Sequence, residues 1–152
     1  MGLCHGGVAN CKEKAVCEVC SCAYGVLGGH TYQNGVCSLC GDGEYSIGVS
    51  FTLSEDGSYY IAGRRSLSYD QEEEFAAELA NVKIPGRYNG KPVKEISQSA
   101  FWQDKKIKTL CIGEGVERIG KWAFNGCTNL TEISLPNSLN LICYGVFGGS
   151  HM

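Results

Sequence analysis

The chain has 152 residues and a formal net charge of −3, with 13 basic against 16 acidic side chains and 43% hydrophobic residues. This balance suits one ordinary domain or two small ones, and it excludes a disordered chain and a basic surface for nucleic acid or anionic membrane. No run of about eighteen apolar residues occurs, so no membrane insertion is expected.

The opening "MGLCHGG" lacks the basic and apolar regions of a secretory signal. Seven of the ten cysteines precede Gly41, and the grammar of the sequence changes at the turn-type stretch "GDGE". Residues 1–44 are therefore expected to form a separate cysteine-rich module. Cys17-x-x-Cys20 and Cys37-x-x-Cys40 are two knuckles separated by sixteen residues, the spacing of a four-cysteine zinc site. Four thiolates at about 2.3 Å from Zn²⁺ can supply most of the folding energy of so small a module. Cys4, His5, Cys11 and His30 are candidates for a second site, or His30 could replace one cysteine of the first. One site is preferred over two. A disulfide framework is the alternative, although a bridge within a C-x-x-C knuckle is strained. A redox motif would need a neighbouring βαβ pattern, and none is visible.

Residues 45–81 are expected to form a hairpin and a helix that cap the repeats of residues 82–148. Phe51 and Leu53, then Tyr59 and Ile61, read as two strands about Asp56-Gly57, a strong hairpin signal. "YDQEEEFAAELAN" reads as a helix, with Asp70 and Glu73 as a capping box and Phe75, Ala76 and Leu79 as its apolar stripe. Glu72 to Glu74 suit a solvated first turn.

Within residues 82–148 the same pattern recurs. Ile96, Ile119 and Ile142 are 23 residues apart, and so are Phe101, Phe124 and Phe147. Ala100, Ala123 and Val146 keep the same step, and "IKTLCI" matches "LTEISL". A period in the low twenties built on L-x-x-L-x-L marks a leucine-rich-repeat solenoid. Leu110, Ile112, Ile133 and Leu135 are expected to point inward, and Thr109, Cys111, Glu132 and Ser134 outward. Cys127 is expected to be a buried small hydrophobe and Cys111 a free thiol. The last coil stops after Phe147 without a cap, which is expected to expose an apolar face and favour self-association. Residues 149–152 read as a vector-derived tail, so His151 joins no site.

These repeats resemble the BspA-type leucine-rich repeats of bacterial surface proteins. The match lies at Ile84-Pro85, Val93, Ile96, Ala100-Phe101, Val116, Ile119, Ala123-Phe124, Cys127, Leu130, Ile133 and Leu135-Pro136. The departures are an insertion over 68–81, Cys111-Ile112-Gly113 in place of the usual Ile-x-Pro, and Cys143 where Gly120 stands one repeat earlier. The amino-terminal stretch resembles a cysteine-rich repeat found beside such repeats. It matches at Cys11, Ala15, Cys17, Cys20, Tyr24-Gly25, His30, Tyr32, Gly35, Cys37 and Cys40-Gly41. The resemblance implies a mostly β, α+β fold and a secreted or cell-surface binding or adhesion module without catalytic activity.

The ligand would be a protein or a glycan met by the repeat face, with Lys108, Thr109, Cys111, Thr131, Glu132 and Ser134 as candidate contacts. A zinc enzyme would need an open metal position, which a four-thiolate site does not offer. A nucleic-acid-binding zinc ribbon is disfavoured, since Lys12 and Lys14 face Glu13, Glu18, Asp42 and Glu44 in the first 44 residues.

Overall fold

A repeat this regular should lay its strands side by side in register, and the ladders show that it does. The computed structural model describes residues 45–150 and, before them, the backbone at 15–16, 23–24, 32–33 and 36–37. The chain divides into two compact units, Met1–Gly41 and Asp42–Met152. In the first, β1 (Ala15–Val16) pairs antiparallel with β2 (Ala23–Tyr24), and β3 (Tyr32–Gln33) with β4 (Val36–Cys37).

In the second unit, β5 (Val49–Leu53) and β6 (Tyr60–Arg64) form the expected hairpin. The Asp56 carboxylate accepts from Ser54 Oγ at 2.6 Å, Ser58 Oγ at 2.8 Å and the Ser58 N–H at 3.0 Å. These bonds, Ser54 first, hold its pKa down at about 2. The inward residues are Val49, Phe51, Tyr60 and Ala62. This corrects the expected second strand by one residue: Ile61 lies outside the core and the Tyr59 hydroxyl donates to Glu95.

The helical segment also differs from expectation. Ser68, not Asp70, is the N-cap: its Oγ accepts from the Gln71 N–H, and the Gln71 Oε1 accepts from the Ser68 N–H. Two short helices result, α1 (Tyr69–Glu74) and α2 (Ala76–Leu79), broken at Phe75. α1 buries no residue, and only Leu79 of α2 is buried. The clamp on α1 is electrostatic. Arg64 meets Asp104 at 2.8 Å and Glu72 at 3.4 Å, and Lys106 meets Glu72 at 2.6 Å.

The repeats build two sheets. β7 (Asn81–Ile84), β10 (Thr109–Ile112) and β12 (Glu132–Ser134) form a parallel three-stranded sheet in the order β12-β10-β7. β9 (Lys91–Ile96), β11 (Arg118–Ile119) and β13 (Leu141–Ile142) extend the hairpin into a second sheet, with β6 joining β9 in parallel. Thr109 pairs with Glu132, 23 residues on, but Asn81 pairs with Thr109, 28 residues on. The first coil is longer because β8 (Arg87–Tyr88) turns back on β9 at Asn89-Gly90, both residues being left-handed. One core joins both sheets with the turn segments. Val82, Ile84, Leu110 and Ile112 come from the first sheet, Ala62, Val93, Ile96 and Ile119 from the second, and Phe101, Ala123, Phe124 and Val146 from the turns.

The two flanks of the stack differ. Ser46 stands in for a strand beside β7: its N–H donates to Lys83 O, its Oγ accepts from the Lys83 N–H, and its hydroxyl donates to Asn81 O. Tyr45, Phe51, Tyr60 and Tyr88 cluster nearby, with Phe51 stacked on Tyr88 at 3.9 Å. On the far side, Ile142 is 48% exposed where Ile96 and Ile119 are buried, and Leu135, expected inward, is 43% exposed.

Candidate functional site

Strand alternation decides which side chains of the three-stranded sheet reach solvent. In β10, Leu110 and Ile112 are buried while Cys111 is exposed; in β12, Glu132 and Ser134 are exposed on either side of half-buried Ile133. The outward face is a small polar field of Asn81, Lys83, Thr109, Cys111, Glu132 and Ser134, set by the registers Asn81–Thr109–Glu132 and Lys83–Cys111–Ser134. Thr109 Oγ1 donates to Asn81 Oδ1 at 2.8 Å, which fixes both side chains in one row.

The predicted contact residues divide accordingly. Thr109, Glu132 and Ser134 share this face. Lys108 and Thr131 are exposed just before the strands, and the Thr131 hydroxyl is turned onto the Lys108 carbonyl at 3.4 Å. Cys111 is free and exposed, as expected. Cys127 is buried and its thiol donates to Phe101 O at 3.1 Å; desolvation pushes its pKa up to about 11.

The predicted metal ligands Cys4, His5, Cys11, Cys17, Cys20, His30 and Cys40 lie outside the described residues, and of Cys37 only the backbone is described. In sequence, the first knuckle falls between the paired strands β1 and β2, and Cys37 ends β4. Among the described residues no group of three or more His, Cys, Asp or Glu side chains could hold a metal ion, and no helix is long and apolar enough to cross a membrane.

Two polar features escaped sequence reasoning. On the outer face of the second sheet, Glu95 accepts from the Tyr59 hydroxyl at 3.0 Å and lies in register with Arg118. The bond to Glu95 raises the Tyr59 pKa. The other feature is an open cavity of about 450 Å³ beside Trp102, lined also by Arg64, Glu72, Ser99, Gln103 and Asp104. Its walls come from three separated segments, so no local motif announces it.

The family is established by comparison as well as by geometry. The model of the BspA type leucine rich repeat region (6 copies) matches residues 67–152, more than half of the chain. The chain belongs to this family of leucine-rich-repeat proteins. No curated protein sequence matches it. Among solved structures it is similar to the leucine-rich repeat protein of T. pallidum. There it is 28% identical with a TM-score of 0.51, over 62% of this chain and 40% of that one. A leucine-rich repeat protein from Bacteroides ovatus shares the fold at 24% identity and a TM-score of 0.54, over 66% of this chain and 25% of that one. The chain thus spans less than half the length of either.

Proposed function

We propose that this chain is a non-catalytic binding module of a bacterial surface or secreted protein, which meets a protein or glycan through the outward face of β7, β10 and β12. The observation that carries the reading is the in-register polar field. Six side chains lie on the outer face of a rigid sheet whose opposite side is core, and the core asks nothing of them. Rigid elements present contacts at low entropic cost. The face is small beside the roughly 800 Å² per partner of a standard interface, so it suits one part of a longer repeat surface.

The test is an array of extracellular proteins and glycans probed with the whole chain and with a Glu132→Lys, Ser134→Arg double variant. Both positions are exposed, so the variant should melt with the parent. Loss of the parent's binders supports the face; binders retained unchanged would reject it.

The amino-terminal unit is read as a structural zinc module held by Cys17, Cys20, Cys37 and Cys40. The spacing of the knuckles supports this. Native and denaturing intact mass, with alkylation and no reductant, decides it. One zinc mass lost on denaturation with every cysteine alkylated is the expected result. A mass short by two hydrogens per cysteine pair, without metal, would replace zinc with disulfides.

A further inference from the structure

We propose that the cavity beside Trp102 binds one sugar residue of a glycan, at a site separate from the sheet face. Its shape and chemistry favour a polyhydroxylated ring. The volume, about 450 Å³, lies within the range of small-molecule sites. Trp102 is 56% exposed, and an indole face offers flat apolar surface to the C–H face of a pyranose. Its counterparts in the next two coils are Asn125 and Gly148, so the repeat itself has no need of a tryptophan here.

The polar wall is already fixed. Asp104 accepts from Arg64 Nε at 2.8 Å and from the Lys106 N–H at 3.0 Å, and Glu72 accepts from Lys106 Nζ and Arg64. Each carboxylate has roughly four lone-pair directions, so acceptor capacity remains for sugar hydroxyls. The ion pairs neutralise both carboxylates, and Lys105 leaves the lining with one cation in excess, so the wall offers hydrogen bonding with only a weak positive bias. Both residues that flank the tryptophan turn are left-handed: Ser99 at φ 52° and Gln103 at φ 56°. The following coils place Gly126 and Gly149 at the Gln103 position, where glycine adopts this backbone without strain. Keeping an amide side chain there, on the cavity wall, is unneeded by the turn and is what a hydrogen-bonding site requires.

The test titrates the whole chain with chitotriose, cellotriose, maltotriose and mannotriose to millimolar concentration, read by calorimetry and by the indole N–H signals in NMR. The controls are Trp102→Ala and Trp122→Ala, each checked for an unchanged melting temperature. The expected result is that at least one sugar binds and moves the Trp102 signal. Trp102→Ala should then weaken binding by about tenfold or more, and Trp122→Ala by less than about twofold. Glu132→Lys should leave this binding intact, which keeps the site distinct from the sheet face. The proposal is overturned if no sugar binds, if Trp102→Ala binds as well as the parent, or if both tryptophan variants lose binding equally. A protein ligand that depends on Trp102 while all four sugars leave its signal unmoved would also overturn it.

Discussion

The ring of Phe101 lies flat on that of Phe124, centroids 5.1 Å apart and planes 6° from parallel. Phe147 continues the stack at 5.8 Å, but it is only half-buried, whereas Phe101 and Phe124 are buried. Phe124→Ala should therefore cost about 3–5 kcal/mol, since it removes a ring packed on both faces. Phe147→Ala should cost markedly less, about 1–2 kcal/mol. Urea unfolding of the two variants compares them directly.

Trp122 and Gly145 form a second testable pair. A Cβ on Gly145 would lie 2.6 Å from Cδ1 of the Trp122 ring, and both residues are left-handed, at φ 54° and 69°. Gly145→Ala should destabilise by about 1–3 kcal/mol through clash and backbone strain together. In a Trp122→Ser background the clash disappears and about 1 kcal/mol of backbone cost remains. A double-mutant cycle reads the difference as a coupling between the two positions.

Acid should loosen the helical insertion. Lys106 first, and Arg64 after it, hold the Glu72 carboxyl below its ordinary 4.5. A carboxylate depressed in the folded state contributes stability that is complete above pH 4.5 and is lost as pH falls through the folded value. The hydrogen-exchange protection factors of the α1 amides, which already correct for the slower intrinsic exchange in acid, should fall below about pH 4.5 in the parent. In Glu72→Gln they should already be low at neutral pH and lack that dependence. Asp56, with a pKa of about 2, leaves the hairpin turn intact until lower pH, so the two elements should release separately.

The thiols should react in order of exposure. Cys111, exposed, is expected to alkylate in the folded chain, and Cys127 only after unfolding, because burial suppresses its thiolate. Mass spectrometry of briefly alkylated native protein checks this. Modification of Cys127 before global unfolding would refute the packing around it.

The solenoid was legible in the sequence because its signal is redundant. Strand alternation places Leu110 inside, and the 23-residue period places Ile119 and Phe124 there. The helix boundary was not, because Ser68 and Asp70 are both good N-caps, and the acidic run after Asp70 favours the later of the two. The Asn89-Gly90 hairpin carried a legible turn signal that the longer repeat pattern overshadowed. Of the sheet face, Thr109, Glu132 and Ser134 were readable from alternation alone. The Trp102 cavity was not readable, since Arg64, Glu72 and Asp104 meet only through tertiary packing.

Ser46 gives the stack a direction. By engaging the edge of β7 away from β10 with one backbone N–H and one hydroxyl, it occupies groups at Asn81 and Lys83 that a further strand would use. The face beyond β12 and β13 keeps the same apolar pattern that each inner coil shows its neighbour. Duplication or loss of a 23-residue unit on that side would leave the β5–β6 hairpin, the aromatic cluster and the Ser46 closure untouched. Such a protein can change its reach by copying units at one side while its starting point stays fixed, an asymmetry that makes length an easily varied trait.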